Sequence, residues 1–223
     1  VETGLWNCKH LNNCGERGSI NKLLHKFGIK SNLKTAQKYK SIEKTLNIPV
    51  EEQKEFSNLN ADQIRWFESR GIKETTLKYA MVCNRAYTNK NVNAICFPYF
   101  QENELKTMKY RDYGEKSIGK EKRVWQQPGG IPVLWGLDKI DLSEPFIICE
   151  GEMDYLSFIQ AGIKQVVSVP FGVDNFGWVE ENWKWLEKAK AIYICMDNDN
   201  AGKKAEDKMK STFGIERVKK IEL

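Results

Sequence analysis

Two short acidic runs are the places in this sequence where chemistry is easiest to build. Glu150-Gly151-Glu152-Met153-Asp154 follows the apolar run Phe146–Cys149 without a break, and Asp197-Asn198-Asp199-Asn200-Ala201-Gly202 follows Ile192–Met196 in the same way. Asp197 and Asp199 are two apart in extended chain, so both carboxylates can project to one side. Asp154 comes four residues after Glu150, and a helix that starts between them would carry its carboxylate back toward the same place. Four acids in a small volume repel one another unless divalent cations neutralise them. Mg²⁺ prefers a few carboxylates together with phosphate oxygens and water, which is the ligand set of phosphoryl-transfer sites. Either run alone also reads as ordinary punctuation, with turn-forming Asp and Asn or acids favoured in a first helical turn. Two such runs, each at the end of a strand, point to a metal-dependent site.

For the acids to meet, the strands before them must be neighbours. The sequence from residue 146 alternates strand and helix. The strands are Phe146–Cys149, Val166–Val169, Ile192–Met196 and Val218–Leu223. Between them fall helices over Glu152–Ala161, Trp178–Ala189 and Ala201–Phe213, with Trp183, Trp185 and Leu186 on the apolar side of the second. That alternation predicts a parallel sheet with crossover helices, and such sheets bind ligands at the carboxyl ends of their strands. Upstream, Asn60 and Gly71 bracket a helix, a second short helix lies near Glu74–Ala80, and β-like runs follow at Ala94–Phe100 and Leu105–Arg111. Period-two alternation in the last run sets Lys106 with Met108 and Tyr110 on one face and Lys109 with Arg111 on the other.

The charge distribution divides the chain in the same way. The 223 residues carry a net charge of +5. Residues 1–60 contribute +4, residues 61–145 contribute +3, and residues 146–223 contribute −2. Within 106–123, seven basic residues stand against three acids. A basic front and an acidic back suit a protein that holds a polyanion with one part and metal ions with another, although a solvated lysine-rich surface has the same composition. No apolar run approaches the roughly 18 residues of a membrane-spanning helix, so no membrane partner is expected. The cysteines at 8, 14, 83, 96, 149 and 195 are too sparse for a disulfide framework, which favours a reducing, cytoplasmic setting.

The residues also resemble a known family. Glu150-Gly151-Glu152-Met153-Asp154, then Val166-Val167-Ser168-Val169-Pro170 with Gly172, then Asp197 through Ala205 look like the motifs of a TOPRIM domain, and are most similar to the primase half of bacteriophage primase-helicases. Phe97-Pro98-Tyr99, Lys109-Tyr110-Arg111, the stretch from Lys122 to Gly129, and Leu134-Trp135-Gly136-Leu137 resemble the basic subdomain that precedes TOPRIM in those primases. Trp6-Asn7-Cys8 and Cys14 through Ser19 resemble the second half of the family's zinc ribbon. The spacing departs from the usual pair, with five residues between Cys8 and Cys14, so either the first ligand pair lies upstream or the ribbon is degenerate. His10 is a further candidate ligand there.

The resemblance implies an α/β fold class: a TOPRIM domain with a mostly parallel central sheet flanked by helices. A smaller mixed α+β basic subdomain and a partial zinc-ribbon-like N-terminus would precede it. The corresponding segments are 1–28 for the ribbon-like part, 29–55 for a linker, 56–140 for the basic subdomain and 141–223 for TOPRIM. It implies a DNA primase that joins ribonucleotides on a single-stranded DNA template in phage or plasmid replication. Glu150, Asp197 and Asp199 would be catalytic, and with Asp154 would hold Mg²⁺ or Mn²⁺. Arg111 and Lys122 would bind nucleotide or template phosphates, joined by Lys106, Lys109, Lys120 and Arg123, and Cys8 and Cys14 would contribute to a Zn²⁺ site. The partners implied are template DNA, NTPs and a replicative helicase, fused downstream or separate, since no G-x-x-x-x-G-K-[ST] loop occurs here. The setting would be the cytoplasm of a bacterial host. Two other readings keep the fold: an idle TOPRIM module that binds single-stranded DNA beside a helicase, and a TOPRIM nuclease.

Overall fold

The computed structural model describes residues 5–7, 17–19, 56–87, 92–113, 124–172 and 176–221. The chain divides into two compact units, Val1–Glu43 and Lys44–Leu223. In the first, β1 (Leu5–Asn7) and β2 (Arg17–Ser19) pair antiparallel, with Trp6 opposite Gly18. Cys8, His10, Cys14 and the linker at 29–55 lie outside the described residues.

The second unit holds two sheets. One is antiparallel, in the order β3 (Phe56–Ser57), β4 (Cys83–Tyr87), β5 (Val92–Gln101), β6 (Glu104–Arg111) and β7 (Val124–Gln126). Helices α1 (Ala61–Glu68) and α2 (Glu74–Tyr79) lie between β3 and β4 in the chain. Asn60 caps α1 reciprocally with Gln63, and the turn that follows runs through Gly71 at φ +76°. A residue with a Cβ is strained in that left-handed conformation, whereas glycine adopts it freely.

The other sheet is parallel. Its order is β11 (Val218–Lys220), β10 (Ile192–Cys195), β8 (Phe146–Cys149) and β9 (Val166–Ser168), and each chain crossover carries a helix. These are α3 (Glu152–Gln160), α4 (Gly177–Leu186) and α5 (Asn200–Phe213). The elements expected after residue 146 are present within a few residues of their expected bounds. In α4, Trp178, Val179, Asn182 and Leu186 are buried, while Trp183 and Trp185 pack at the edge of the core. β9 is buried along its whole length, β8 and β10 each leave one residue partly exposed, and the edge strand β11 buries only Val218.

An aromatic cluster joins the two sheets. Trp135 lies against Tyr155 of α3, with ring centroids 4.5 Å apart, and against Phe97 and Tyr99 of β5. Its indole N–H donates to Pro98 O at 2.8 Å, so the ring is oriented as well as buried. Trp135 also exchanges both backbone hydrogen bonds with Ser168, which extends the parallel sheet by one antiparallel bridge at β9.

Candidate functional site

The acids gather because β8 and β10 are adjacent and in register. Cys195 stands opposite Cys149, so Glu150 leaves one strand at the level where Met196 and Asp197 leave the other. The two loops are tied directly: Asp197 N–H donates to Glu150 Oε2 at 3.1 Å. Gly151 N–H donates to Asp154 Oδ2 at 2.9 Å. Gly202 N–H donates to Asp199 Oδ1 at 2.8 Å, which makes Asp199 the N-cap of α5. Three carboxylates therefore each give one oxygen to a backbone amide and keep the other for a ligand. Gly202 is required here because a Cβ on it would fall 2.1 Å from Asp197 O. The glycine lets the start of α5 close onto the loop that carries Asp197.

The electrostatics follow from this crowding. Partial burial, followed by the charges of Asp197, Asp199 and Asp154, pushes the Glu150 carboxyl above the usual range, against the pull of the Asp197 amide. Asp154 is raised chiefly by burial and then by Asp197 and Glu152. Such a cluster favours a hard dication, whose charge offsets the repulsion. Among the described residues no three His, Cys, Asp or Glu side chains stand close enough together to enclose an ion. By donor chemistry the four acids fit Mg²⁺ or Mn²⁺, with oxygens that are exposed or half-buried and pre-oriented by amides. A cleft of about 330 Å³ lined by Pro98, Phe100, Trp135 and Lys139 contains none of them.

The basic residues are placed differently. Lys106 is paired with Glu104 at 2.5 Å. The face shared by Lys109 and Arg111 turns inward against the acidic domain: Lys109 Nζ lies 2.8 Å from Glu152 Oε1, with the two side chains 16% and 9% exposed. The Arg111 guanidinium lies over the Trp66 ring, 5.4 Å from its centroid, while Arg70 covers the same ring at 3.7 Å. Trp125 stacks on Tyr110, and Tyr113 packs at the edge of the core. Lys120, Lys122 and Arg123 lie outside the described residues.

Sequence reasoning gave Glu152 no task beyond its place in the motif, and gave Tyr99 none. In the structure the buried Tyr99 hydroxyl and the Lys109 ammonium both donate to Glu152 Oε1. Burial, followed by the Glu152 charge, holds the Tyr99 phenol well above its ordinary pKa, so it stays a donor. The available signal was the second glutamate of the Glu-Gly-Glu run, placed to open a helix, together with a lysine on an otherwise inward strand face.

Residues 147–222 match the family described as Toprim-like. A primase homolog protein of Arabidopsis thaliana is 30% identical over 70% of this chain and 48% of its own length. The chloroplastic/mitochondrial Twinkle homolog protein of the same plant is 28% identical over 97% of this chain and 30% of its own length. The chain thus spans about half of one curated relative and under a third of the other. Among solved structures, the primase fragment of the bacteriophage T7 primase-helicase protein superposes with a TM-score of 0.59 at 21% identity, covering 75% of this chain and 70% of that one. The Aquifex aeolicus primase structure, comprising zinc-binding and RNA polymerase domains, gives 0.64 at 17% identity over 100% of this chain and 68% of that one. These likenesses establish a shared fold. No helix among the described residues is long and apolar enough to cross a membrane.

Proposed function

For a chain whose residues 147–222 form a Toprim-like domain with the fold seen in primases, we propose template-dependent nucleotidyl transfer: the joining of ribonucleotides into short primers on single-stranded DNA. The observation that carries this reading is the bond from Asp197 N–H to Glu150 Oε2, which makes one site of two acidic loops on adjacent strand ends.

In this reading the free oxygens of Glu150, Asp154, Asp197 and Asp199 would hold divalent cations, which supply charge neutralisation and Lewis acidity at the phosphates. The burial and acidic neighbours that raise Glu150 favour cations that offset its charge, and the proton of the primer 3′-hydroxyl leaves to solvent. The 3′-oxygen bonds to the α-phosphorus of the incoming NTP as the bond to the β-phosphate oxygen breaks, and pyrophosphate leaves. Arg111 and Lys122 neutralise the triphosphate or the template backbone, with Lys120 and Arg123 extending the contact. The basic subdomain would occupy 56–140 and the TOPRIM domain 141–223. Cys8 and Cys14 would belong to a zinc-binding ribbon, and the work would be shared with a replicative helicase in a cytoplasmic or organellar replication system.

Labelled NTPs, a single-stranded DNA template and Mg²⁺ or Mn²⁺ test the proposal, with products resolved on a denaturing gel. Short RNA products that vanish with Glu150→Gln are expected, and their absence from the wild-type reaction refutes it. One observation favours a second reading, an idle module that binds single-stranded DNA: among the described residues no three donors enclose an ion as they stand. That reading expects DNA binding without synthesis in either metal.

A further inference from the structure

Glu152 opens α3 and lies between two of the acids assigned to catalysis, two residues from Glu150 and two from Asp154. It is 7% exposed, and its Oε1 accepts from Tyr99 of β5, which is fully buried, and from Lys109 of β6 at 2.8 Å. A single carboxylate thus fastens the acid-bearing turn of the parallel sheet to the two central strands of the antiparallel one. Lys109 and Arg111 share a face of β6, so whatever holds Lys109 also sets the distance from the acids to Arg111. Charge-assisted hydrogen bonds are short and directional, which suits them to holding such a distance. A buried ion pair is poor evidence of a stability device, because apolar groups of similar volume often serve the fold as well or better. Its use here is geometric.

We propose that Glu152 is a positioning residue: clamped between Tyr99 and Lys109, it sets the separation of the Glu150 and Asp154 carboxylates from Arg111, and so the register in which a nucleoside triphosphate meets the acids. The activity readout rests on the nucleotidyl-transfer reading above, whereas the cation readout does not.

The informative variant is the double neutralisation Glu152→Gln with Lys109→Met. It removes one negative and one positive charge, so the local net charge is unchanged and an altered cation affinity reports geometry. Four quantities are measured on the full chain: melting temperature without metal, Mn²⁺ affinity from the electron paramagnetic resonance signal of free Mn²⁺, and kcat and KM for primer synthesis. The melting temperature stays within a few degrees of wild type, while residues that orient metal ligands typically change metal affinity or activity about 10- to 100-fold. The expected loss falls on Mn²⁺ affinity and kcat. Lys109→Arg beside the native Glu152, which keeps a cation on the carboxylate, retains most of both. A folded double variant with wild-type Mn²⁺ affinity and kcat overturns the proposal. If the double variant does not fold, Tyr99→Phe replaces it, with a loss of a few-fold expected in the same two quantities and wild-type values overturning the proposal. If wild type binds Mn²⁺ but makes no primers, the primase reading fails and the clamp is judged on Mn²⁺ affinity, equal values overturning it. Wild type that binds no Mn²⁺ overturns both.

Discussion

The two sheets of the second unit treat charge in opposite ways. In the parallel sheet, Glu150, Asp154, Asp197 and Asp199 are collected at strand ends, and the carboxylates of Glu150, Asp154 and Asp199 accept from backbone amides. In the antiparallel sheet the cations are matched within the protein: Lys106 by Glu104, Lys109 by Glu152, Arg85 by the Tyr110 hydroxyl, and Arg111 by the face of Trp66. An acid held by amides keeps its full negative charge and repels its neighbours. A cation held by an acid or a ring is already largely compensated. The acids of the parallel sheet therefore repel one another, whereas the cations of the antiparallel sheet are held by partners within the protein.

The largest expected effect comes from removing charge at the parallel sheet. Glu150→Gln, or Asp197→Asn with Asp199→Asn, should lower primer synthesis by roughly 100-fold or more, as expected when a group that stabilises transition-state charge is lost. Single-stranded DNA affinity, to which the acids make no favourable contribution, should change by less than about twofold. Asparagine caps a helix about as well as aspartate, so Asp199→Asn keeps the N-terminus of α5 while losing the charge. Parallel loss of DNA binding and synthesis would count against a metal role for these residues.

The next effect comes from backbone rather than charge. Gly202→Ala places a methyl group 2.1 Å from Asp197 O, a main-chain atom with little freedom to yield. Overpacking of this kind costs about 1–3 kcal/mol, which should appear as a lower melting temperature. Because the strain is released by moving Asp197, synthesis should fall further than the melting shift alone explains. Wild-type synthesis in this variant would mean that the Asp197 loop need not be held.

These two regions were unequally legible in the sequence. The parallel sheet was readable because each strand is a short apolar run that ends on an acid, a glycine or a turn, and each helix carries its own cap. β4 and β7 escaped notice because their sequences, Cys-Asn-Arg-Ala-Tyr and Val-Trp-Gln, are polar or short and become strands through pairing with β5 and β6. The alternation of β6 was legible, with Lys109 and Arg111 on one face, but the burial of Lys109 was not, because its partner Glu152 lies 43 residues away beside another sheet. Periodicity reports which residues share a face, and only the tertiary fold reports what that face meets.

A smaller effect separates the basic margin from the acids. Arg111→Ala removes a guanidinium that faces Trp66, and with it one cationic contact available to a phosphate. Single-stranded DNA affinity should weaken, and the dependence of log affinity on log salt should become shallower by about one phosphate contact. An unchanged salt slope would remove Arg111 from the DNA-binding surface.

The charge repulsion itself can be read from stability without any substrate. Folding raises the Glu150 carboxyl above its unfolded value, so the folded chain binds that proton more tightly and ionisation opposes folding. The resulting deficit is present above the folded pKa and absent below the unfolded one. In chelator at pH 8, Glu150→Gln should therefore melt above wild type, and the gap should close as the pH falls through the carboxylate range. Saturating Mg²⁺ should narrow it at pH 8 as well, because the ion stabilises the chain that retains all four acids more than the variant. A gap that is the same at every pH would show that the glutamate acts through packing.

The smallest effect provides the control for the comparison. Helix α1 is capped by Asn60 and Gln63 alone, with reciprocal bonds of 2.9 Å each, whereas the acid Asp154 accepts from the N-cap amide of α3 and Asp199 from a first-turn amide of α5. Asn60→Ala should therefore cost about 1 kcal/mol of stability, the usual value of an N-cap, and nothing in chemistry. Thermal or urea unfolding should show that loss, while Mn²⁺ affinity and kcat stay at their wild-type values. The same bond geometry then has two meanings in one chain. Beneath the antiparallel sheet it is only a cap, and a change in kcat on its removal would show that the cap of α1 also governs the acids of the parallel sheet.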